Sequence, residues 1–344
     1  MEIRTQTLDR VYKSLVILVI IVFGLVVLKE IVLPIIFAAL FSIVMLPIVK
    51  RLEKKTGKIF SIFIILFTAL ALLALVTWFI VTQLTSLVSS LPGLEDKFYA
   101  LINTISTSLH DQLNITADEQ GQLLKDSIKS ISSYAPSLLV STTYLAYFFI
   151  QVPIYIFLLL LYRDRFKEFL SMLNPASDLK WISEIQQVVR GYISGLGLVV
   201  FIAGVLNSTG LLILGIDHAI FFGFLSGMLT MIPYVGITIG AALPTLLALV
   251  TKDSIWYAVG VIGVHSFVQF LEANFITPKI TGSRISINAL AAILALLIGG
   301  QLWGIAGMIL AVPAIGILKI TLGYSPTLKA VSFLLSDEAP KNPQ

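Results

Sequence analysis

His265, Gln269 and Glu272 stand at i, i+4 and i+7 in an otherwise apolar run, so a helix there carries an imidazole, an amide and a carboxylate along one face. In water such a stripe is ordinary. In hydrocarbon a charged side chain at a helix centre costs about 2.5–3.5 kcal/mol on insertion scales, so each of these groups calls for a partner or a wet cavity. A proton or cation moving along the face would meet all three in turn. His265 and Glu272 are therefore ion-coupling candidates, and Gln269 a candidate for the path. The local alternative is that Glu272, near the end of its run, snorkels or bonds to the Thr277–Lys279 segment.

A second group of polar residues interrupts neighbouring apolar runs. Asn207, Ser208 and Thr209 are consecutive, and Ser226 and Thr230 share a helical face. A polyhydroxylated small solute needs such donors and acceptors, and so does interhelical hydrogen bonding. Asn274 and Gln301 join the path candidates, whereas Asp217, beside His218 at the end of a span, is read as facing water. Enzyme signatures are missing: the chain has no H-E-x-x-H, no G-x-S-x-G and no paired aspartates within spans, and Ser226 with His265 is the one conceivable hydrolytic dyad. Gly57-Lys58-Ile59 lacks the upstream glycine and the hydroxyl of a phosphate-cradling loop, which rules out an ATP-driven pump within this chain. With no cysteine, there is no thiolate metal site, catalytic thiol or disulfide to propose. The chain is read as not an enzyme, with no cofactor and no metal.

The elements that position these residues are membrane helices. Of 344 residues, 57% are hydrophobic and 12% charged, against about a quarter charged in soluble domains, and mean hydropathy is +0.97. The net charge of +4 lies in short runs between apolar stretches, not in one patch, which argues for lipid headgroups as the partner and against nucleic acid. Apolar runs of spanning length start at Ser14, Ile31, Phe60 and Leu138. The first follows Arg4, Arg10 and Lys13 but no small-residue cleavage site, so it is read as a retained span. Lys50, Arg51, Lys54, Lys55 and Lys58 form the densest basic cluster, placing the amino terminus and the second connection in the cytoplasm.

Six segments follow: N-terminal transmembrane helices over 1–84, an extracytoplasmic helical segment over 85–137, and a transmembrane helix over 138–161. A cytoplasmic amphipathic segment covers 162–190, a transmembrane region with broken helices 191–322, and a cytoplasmic tail 323–344. In 85–137, Leu94, Phe98, Leu101, Ile105 and Leu109 fall at helical spacing, and Thr116-Ala117-Asp118-Glu119 is a capping box that starts a second helix. Asn114-Ile115-Thr116 matches a glycosylation acceptor by chance. Asn174-Pro175 separates two helices, the second with Ile182, Ile185, Val189 and Tyr192 on an interfacial face. Thr277-Pro278 to Arg284 is expected to be a short polar loop, and Ile287 to Ile320, too long for one helix, a hairpin broken near Gly299-Gly300-Gln301 and Gly304.

Two breaks resemble each other: Gly236, Gly240 and Pro244 in one, Gly304, Gly307 and Pro313 in the other. Paired Gly/Pro-interrupted segments point to a transporter site, since broken helices expose backbone dipoles to a cavity; small residues also let membrane helices pack closely. The motif Met231-Ile232-Pro233-Tyr234-Val235-Gly236 with Gly240 and Pro244 resembles the I-P-Y-V-G signature of the autoinducer-2 exporter family. Gln269, Glu272 and Asn274 followed by Pro278, Lys279 and Gly282 resemble its Q-x-x-E-x-N and P-K-x-x-G segment, and Gly299-Gly300 to Pro313 fits its tail. The family often has a proline near position 289, where this chain reads Asn288-Ala289-Leu290.

The resemblance implies an all-α polytopic protein of the bacterial cytoplasmic (inner) membrane, with about eight transmembrane helices and broken or re-entrant segments in the C-terminal half. Some members export autoinducer-2 and others exchange sodium or lithium for protons; the substrate does not transfer with the fold. The expected function is secondary export of a small polar solute, autoinducer-2 being the first choice, coupled to an ion gradient of protons or sodium. A passive oligomeric channel or a structural membrane protein is the alternative of another class. Asn207, Ser226, Thr230, Pro233, Gly236, Gly240, Gln269, Asn274 and Gln301 are the path candidates, a homo-oligomer is expected, and both termini are placed in the cytoplasm.

Overall fold

A computed structural model describes residues 2–113, 135–173, 179–232, 235–282 and 286–337. The capping box at Thr116–Glu119, the helix expected after it, Asn114-Ile115-Thr116, Asn174-Pro175 and Pro233-Tyr234 lie outside the described residues. Within them the chain is helical: α1 (Glu2–Val27), α2 (Lys29–Thr56), α3 (Lys58–Leu113), α4 (Ala135–Leu161), α5 (Arg163–Leu173), α6 (Lys180–Ile213), α7 (Ala219–Leu229), α8 (Val235–Thr251), α9 (Ile255–Leu271), α10 (Ala289–Gly323) and α11 (Lys329–Leu335).

Helix is what the sequence and the solvent both require. An apolar segment in lipid has to pair every backbone N–H and C=O within itself. Among the described residues five segments are long and apolar enough to cross a bilayer: Lys29–Thr56, Lys58–Leu87, Lys180–Ile213, Ile255–Ile280 and Ala289–Gly323. Leu15–Val27, Phe148–Leu161, Ala219–Leu229 and Thr238–Thr251 are shorter apolar helices. Large apolar side chains face outward along these helices, including Phe67 at 75% and Ile213 at 80% exposure, as expected of surfaces covered by acyl chains rather than water.

The chain forms two compact units. The first comprises Met1–Ile65, Phe148–Ile193 and Arg284–Gln344. Its core joins α2, α6 and α10 through Leu40, Val189 and Leu310, with Phe37, Ile185 and Trp303 packed around them. Ile182, Ile185, Val189 and Tyr192 thus belong to the same continuous helix as the span that follows, and Val189 is fully buried. At the start of α5, Arg163 donates to Glu53 and Lys58 donates to Asp164, fastening the α4–α5 junction to the turn between α2 and α3.

The hydrogen bond from the Lys58 ammonium holds the Asp164 carboxyl below its ordinary value of 3.8. A carboxylate depressed in this way adds stability above its unfolded pKa and loses it as pH falls through the folded value. Because Asp164 is largely exposed, Asp164→Asn is expected to cost less than about 1 kcal/mol at neutral pH. Melting of detergent-solubilised protein should show that small deficit at pH 7 and none once the pH is taken well below 3.8.

The long last apolar stretch is a hairpin. Trp303 and Gly304 leave helical geometry, Gly304 with φ +60°, and Gly299 and Gly307 then face each other so closely that a Cβ on either would overlap the other's backbone. Residues eight apart in a straight helix are about 12 Å apart, so only a reversal brings these two together. Trp303 Nε1 donates to the Leu25 carbonyl of α1. Asn288 caps this helix by accepting from the Ala291 N–H, and its amide donates to the Leu334 carbonyl, pinning α11 to the hairpin's base.

Candidate functional site

The second unit comprises Leu66–Tyr147 and Ser194–Ser283. Its core is built by Leu211 of α6, Phe221 and Phe222 of α7, Leu247 and Ala248 of α8, and Ala258 and Val261 of α9, with Ile80 and Leu87 of α3 against it. Glycines set how closely these helices approach. A Cβ on Gly227 would lie 2.7 Å from the Val200 carbonyl oxygen and 2.8 Å from the Gly204 nitrogen, and one on Gly223 would overlap the Ser208 backbone, so α6 and α7 touch backbone to backbone. The order of these contacts, 223 with 208 and 227 with 204, makes the pair antiparallel.

α7 has 11 residues, or about 16 Å, roughly half a hydrocarbon core. The chain turns after it, and α8 returns along its side. A Cβ on Gly236 would lie 2.6 Å from the Thr230 nitrogen, and one on Gly240 3.0 Å from the Ser226 hydroxyl. The Gly/Pro break foreseen at Gly236, Gly240 and Pro244 is therefore a tight helical reversal.

Pro244 has a further consequence. It lacks the N–H that would serve the carbonyl four residues back, so the Gly240 oxygen loses its i+4 helical donor. Ser226 supplies one: its Oγ lies 2.8 Å from the Gly240 oxygen and 2.7 Å from the Phe222 oxygen in its own helix. His265 completes the junction from α9, its Nε2 3.1 Å from Ser226 Oγ and its Nδ1 2.9 Å from the Val261 oxygen. A carbonyl only accepts, so the ring hydrogen sits on Nδ1 and a neutral ring presents an acceptor at Nε2. Ser226 and His265 are 2% and 6% exposed.

Two of the other candidates carry buried atoms without a partner. Asn207 is 4% exposed and its Oδ1 accepts no hydrogen bond among the described residues. Glu272 is 9% exposed and its Oε2 is likewise unpartnered. It opens a π-helical turn, Glu272–Ile276, which is followed by a second, Pro278–Gly282. The polar loop expected from Thr277 is thus helical as far as Gly282. Thr277 N–H reaches five residues back to Glu272, and Pro278, with no N–H and a ring that crowds the preceding turn, widens the helix where it would otherwise break.

The remaining candidates are dispersed. Thr230 turns back to the Gly227 carbonyl, Gln269 is half-buried, Asn274 is exposed and bonded to Phe270, and Gln301 is exposed at the hairpin of the other unit. Pro233 lies outside the described residues. Asp217 is exposed and lies 3.9 Å from Lys252, as a water-facing residue would. Sequence reasoning passed over the Pro244–Gly240 relation, although the i, i+4 spacing was its signal. It also passed over Arg190 and Gln151 of the first unit, whose buried Nε and Oε1 have no partner among the described residues; for Gln151 the cue was a polar side chain within an apolar run.

As a hydrolytic dyad, Ser226 and His265 are wrongly surrounded. A nucleophilic serine needs N–H donors beside it to receive an oxyanion, whereas this hydroxyl faces two carbonyls and an imidazole nitrogen. The arrangement ties helices together at a break.

Residues 15–326 match the family model described as AI-2E family transporter. The chain belongs to this family. YueF of Bacillus subtilis (strain 168), provisionally named a transport protein, is 29% identical over 303 residues, covering 83% of this chain and 82% of YueF. YrrI of the same organism, named in the same way, is 29% identical over 314 residues, 86% of this chain and 87% of its own. The AI-2 transport protein TqsA of Escherichia coli (strain K12) is 22% identical over 331 residues, 93% of each chain. This AI-2E family member is accordingly a multi-pass helical membrane protein of a transporter family.

Proposed function

We propose that the chain is a secondary transporter that exports a small polar solute of the autoinducer-2 type from the bacterial cytoplasm, driven by an ion gradient. The observation that carries this is the α7–α8 reversal: two short helices too closely packed for side chains, with a backbone carbonyl released by Pro244 and buried polar groups of Ser226 and His265 set against it. Such broken helices are how membrane proteins place polar backbone at mid-depth. Asn207 and Gln269 lie on α6 and α9, Thr230 closes α7 at the break, and Glu272, with a carboxylate oxygen that has no partner among the described residues, is the coupling residue we favour. In the working orientation both termini are cytoplasmic, the amino terminus from Arg4, Arg10, Lys13 and the basic run between Lys50 and Lys58, the carboxyl terminus from Lys319 and Lys329.

The name of TqsA supports an autoinducer-2 solute at low identity. The deciding experiment compares extracellular and intracellular autoinducer-2 in a strain deleted for this chain. Intracellular accumulation is expected; unchanged partitioning would reject this solute. Exchange of sodium or lithium for protons is the second reading, favoured by Glu272. A pH-sensitive dye in vesicles, after a sodium pulse, reads it directly.

A further inference from the structure

The junction of Ser226, Gly240 and His265 is one hydrogen short. With His265 neutral and its Nδ1 hydrogen given to Val261, two acceptors turn to Ser226: the Gly240 oxygen, whose i+4 donor Pro244 removes, and the Nε2 lone pair. The Phe222 oxygen is served already by the helix ladder. Ser226 has a single hydroxyl hydrogen to give to the two. One of them stays unsatisfied in a buried place.

We infer that His265 and Ser226 form a proton-binding site whose occupancy fastens α7, α8 and α9 together. A proton arriving at Nε2 is donated to Ser226 Oγ, and the hydroxyl hydrogen of Ser226 is then committed to the Gly240 carbonyl. Every donor and acceptor is now paired, in a continuous line from the Val261 carbonyl on α9, through His265 and Ser226 on α7, to Gly240 on α8. When the proton leaves, the hydroxyl has to choose between the ring and the carbonyl, and one interhelical bond is lost. The other titratable groups of these elements stand at the helix ends: Asp217 and His218 before α7, the His218 ring bonded to Gln83 of α3, and Lys252 and Asp253 after α8. α7, α8, α6 from Ser194 to Ile213 and α3 from Leu66 to Leu87 carry no titratable side chain. On the helix of His265 itself there are Tyr257, about 12 Å before it, and Glu272, about 10 Å after it along the axis.

The consequence for flux rests on the transport reading: the α7–α8 reversal is held when the proton is bound and eased when it leaves. The site itself is read without any solute, by hydrogen exchange of the full chain in detergent between pH 5 and pH 8, with protection expressed against the unprotected rate at each pH. In the unmodified protein, protection across 235–251 is expected to fall about three- to tenfold as pH rises, through a one-proton transition. His265→Gln keeps an N–H donor at every pH, so its protection should stay high and flat. Ser226→Ala removes the relay, so its protection should be low and flat. Flat protection in the unmodified chain, or a transition that survives in His265→Gln, overturns the proposal. If protection is flat while vesicles still move solute, the proton site fails and the transport reading stands. If protection titrates and no solute moves, the reverse holds.

Discussion

Gly236→Leu is expected to abolish solute flux, by about 100-fold or more, while leaving the protein in the membrane. The reason lies in what a side chain at this position meets. An added Cβ would stand 2.6 Å from the Thr230 nitrogen and 2.7 Å from the Leu229 carbonyl carbon and oxygen. These are backbone atoms at the end of α7, and they cannot rotate away as a side chain tip can. Relief requires α8 to move by the better part of an ångström relative to α7. Overpacking of this kind costs roughly 1–3 kcal/mol in a core. The functional loss should be larger, because displacing groups that act together by about 1 Å costs on the order of 100-fold where geometry has been studied in active sites.

Ser226 reaches Gly240 across the same two helices that Gly236 holds together. Insertion depends on the summed hydropathy of the spans, which leucine does not lower. The measurement is flux into vesicles per inserted molecule, with Gly263→Leu beside it. A Cβ on Gly263 meets nothing within 4 Å, so that variant should transport normally. Normal flux in Gly236→Leu would remove the α7–α8 reversal from the mechanism.

The same residues show what a sequence can and cannot convey about such a protein. Spans are legible because hydrocarbon imposes one rule on every segment that enters it, and α2 and α3 start two residues before the apolar runs at Ile31 and Phe60. Breaks are legible as well: Gly304 and Gly236 each mark a real reversal. Partnerships are not. Ser226 and His265 are 39 positions apart and meet because Gly240 lets α8 close on α7, Gly223 and Gly227 let α7 close on α6, and Gly210 lets α6 close on α9 at Val264. A hydropathy pattern has period but no partner, so it placed each residue on a face without saying what that face would touch. The helical continuation through Pro278 was hidden for a related reason. Proline and polar residues read as a loop, and only the surrounding helices decide whether the ladder ends there or widens to a π turn.

Glu272→Gln separates the two roles open to that residue. Its carboxylate is almost wholly buried, and Oε2 has no partner among the described residues. A buried acceptor left in that state costs about 1–3 kcal/mol, more for a charged group, so a chain that retains it is using it or is storing strain. If the carboxylate holds the coupling ion, the isosteric amide keeps the shape of the helix and loses the charge. Ion-driven accumulation should then fall by about 10- to 100-fold, which corresponds to the 1.5–3 kcal/mol of a hydrogen bond to a charged group. Solute exchange at equal concentration on both sides needs no gradient and should persist.

A purely structural Glu272 makes the opposite prediction. Replacing an unpaired buried acid with a neutral amide would then leave accumulation intact and raise the melting temperature in detergent. Vesicles loaded with solute and given a sodium or a proton gradient distinguish the two outcomes in one preparation. The gradient that drives uptake in the unmodified chain and fails in Glu272→Gln identifies the ion. Accumulation that survives the substitution under both gradients places coupling elsewhere, with His265, which is tied to α7 and α8 through Ser226, as the next residue to test.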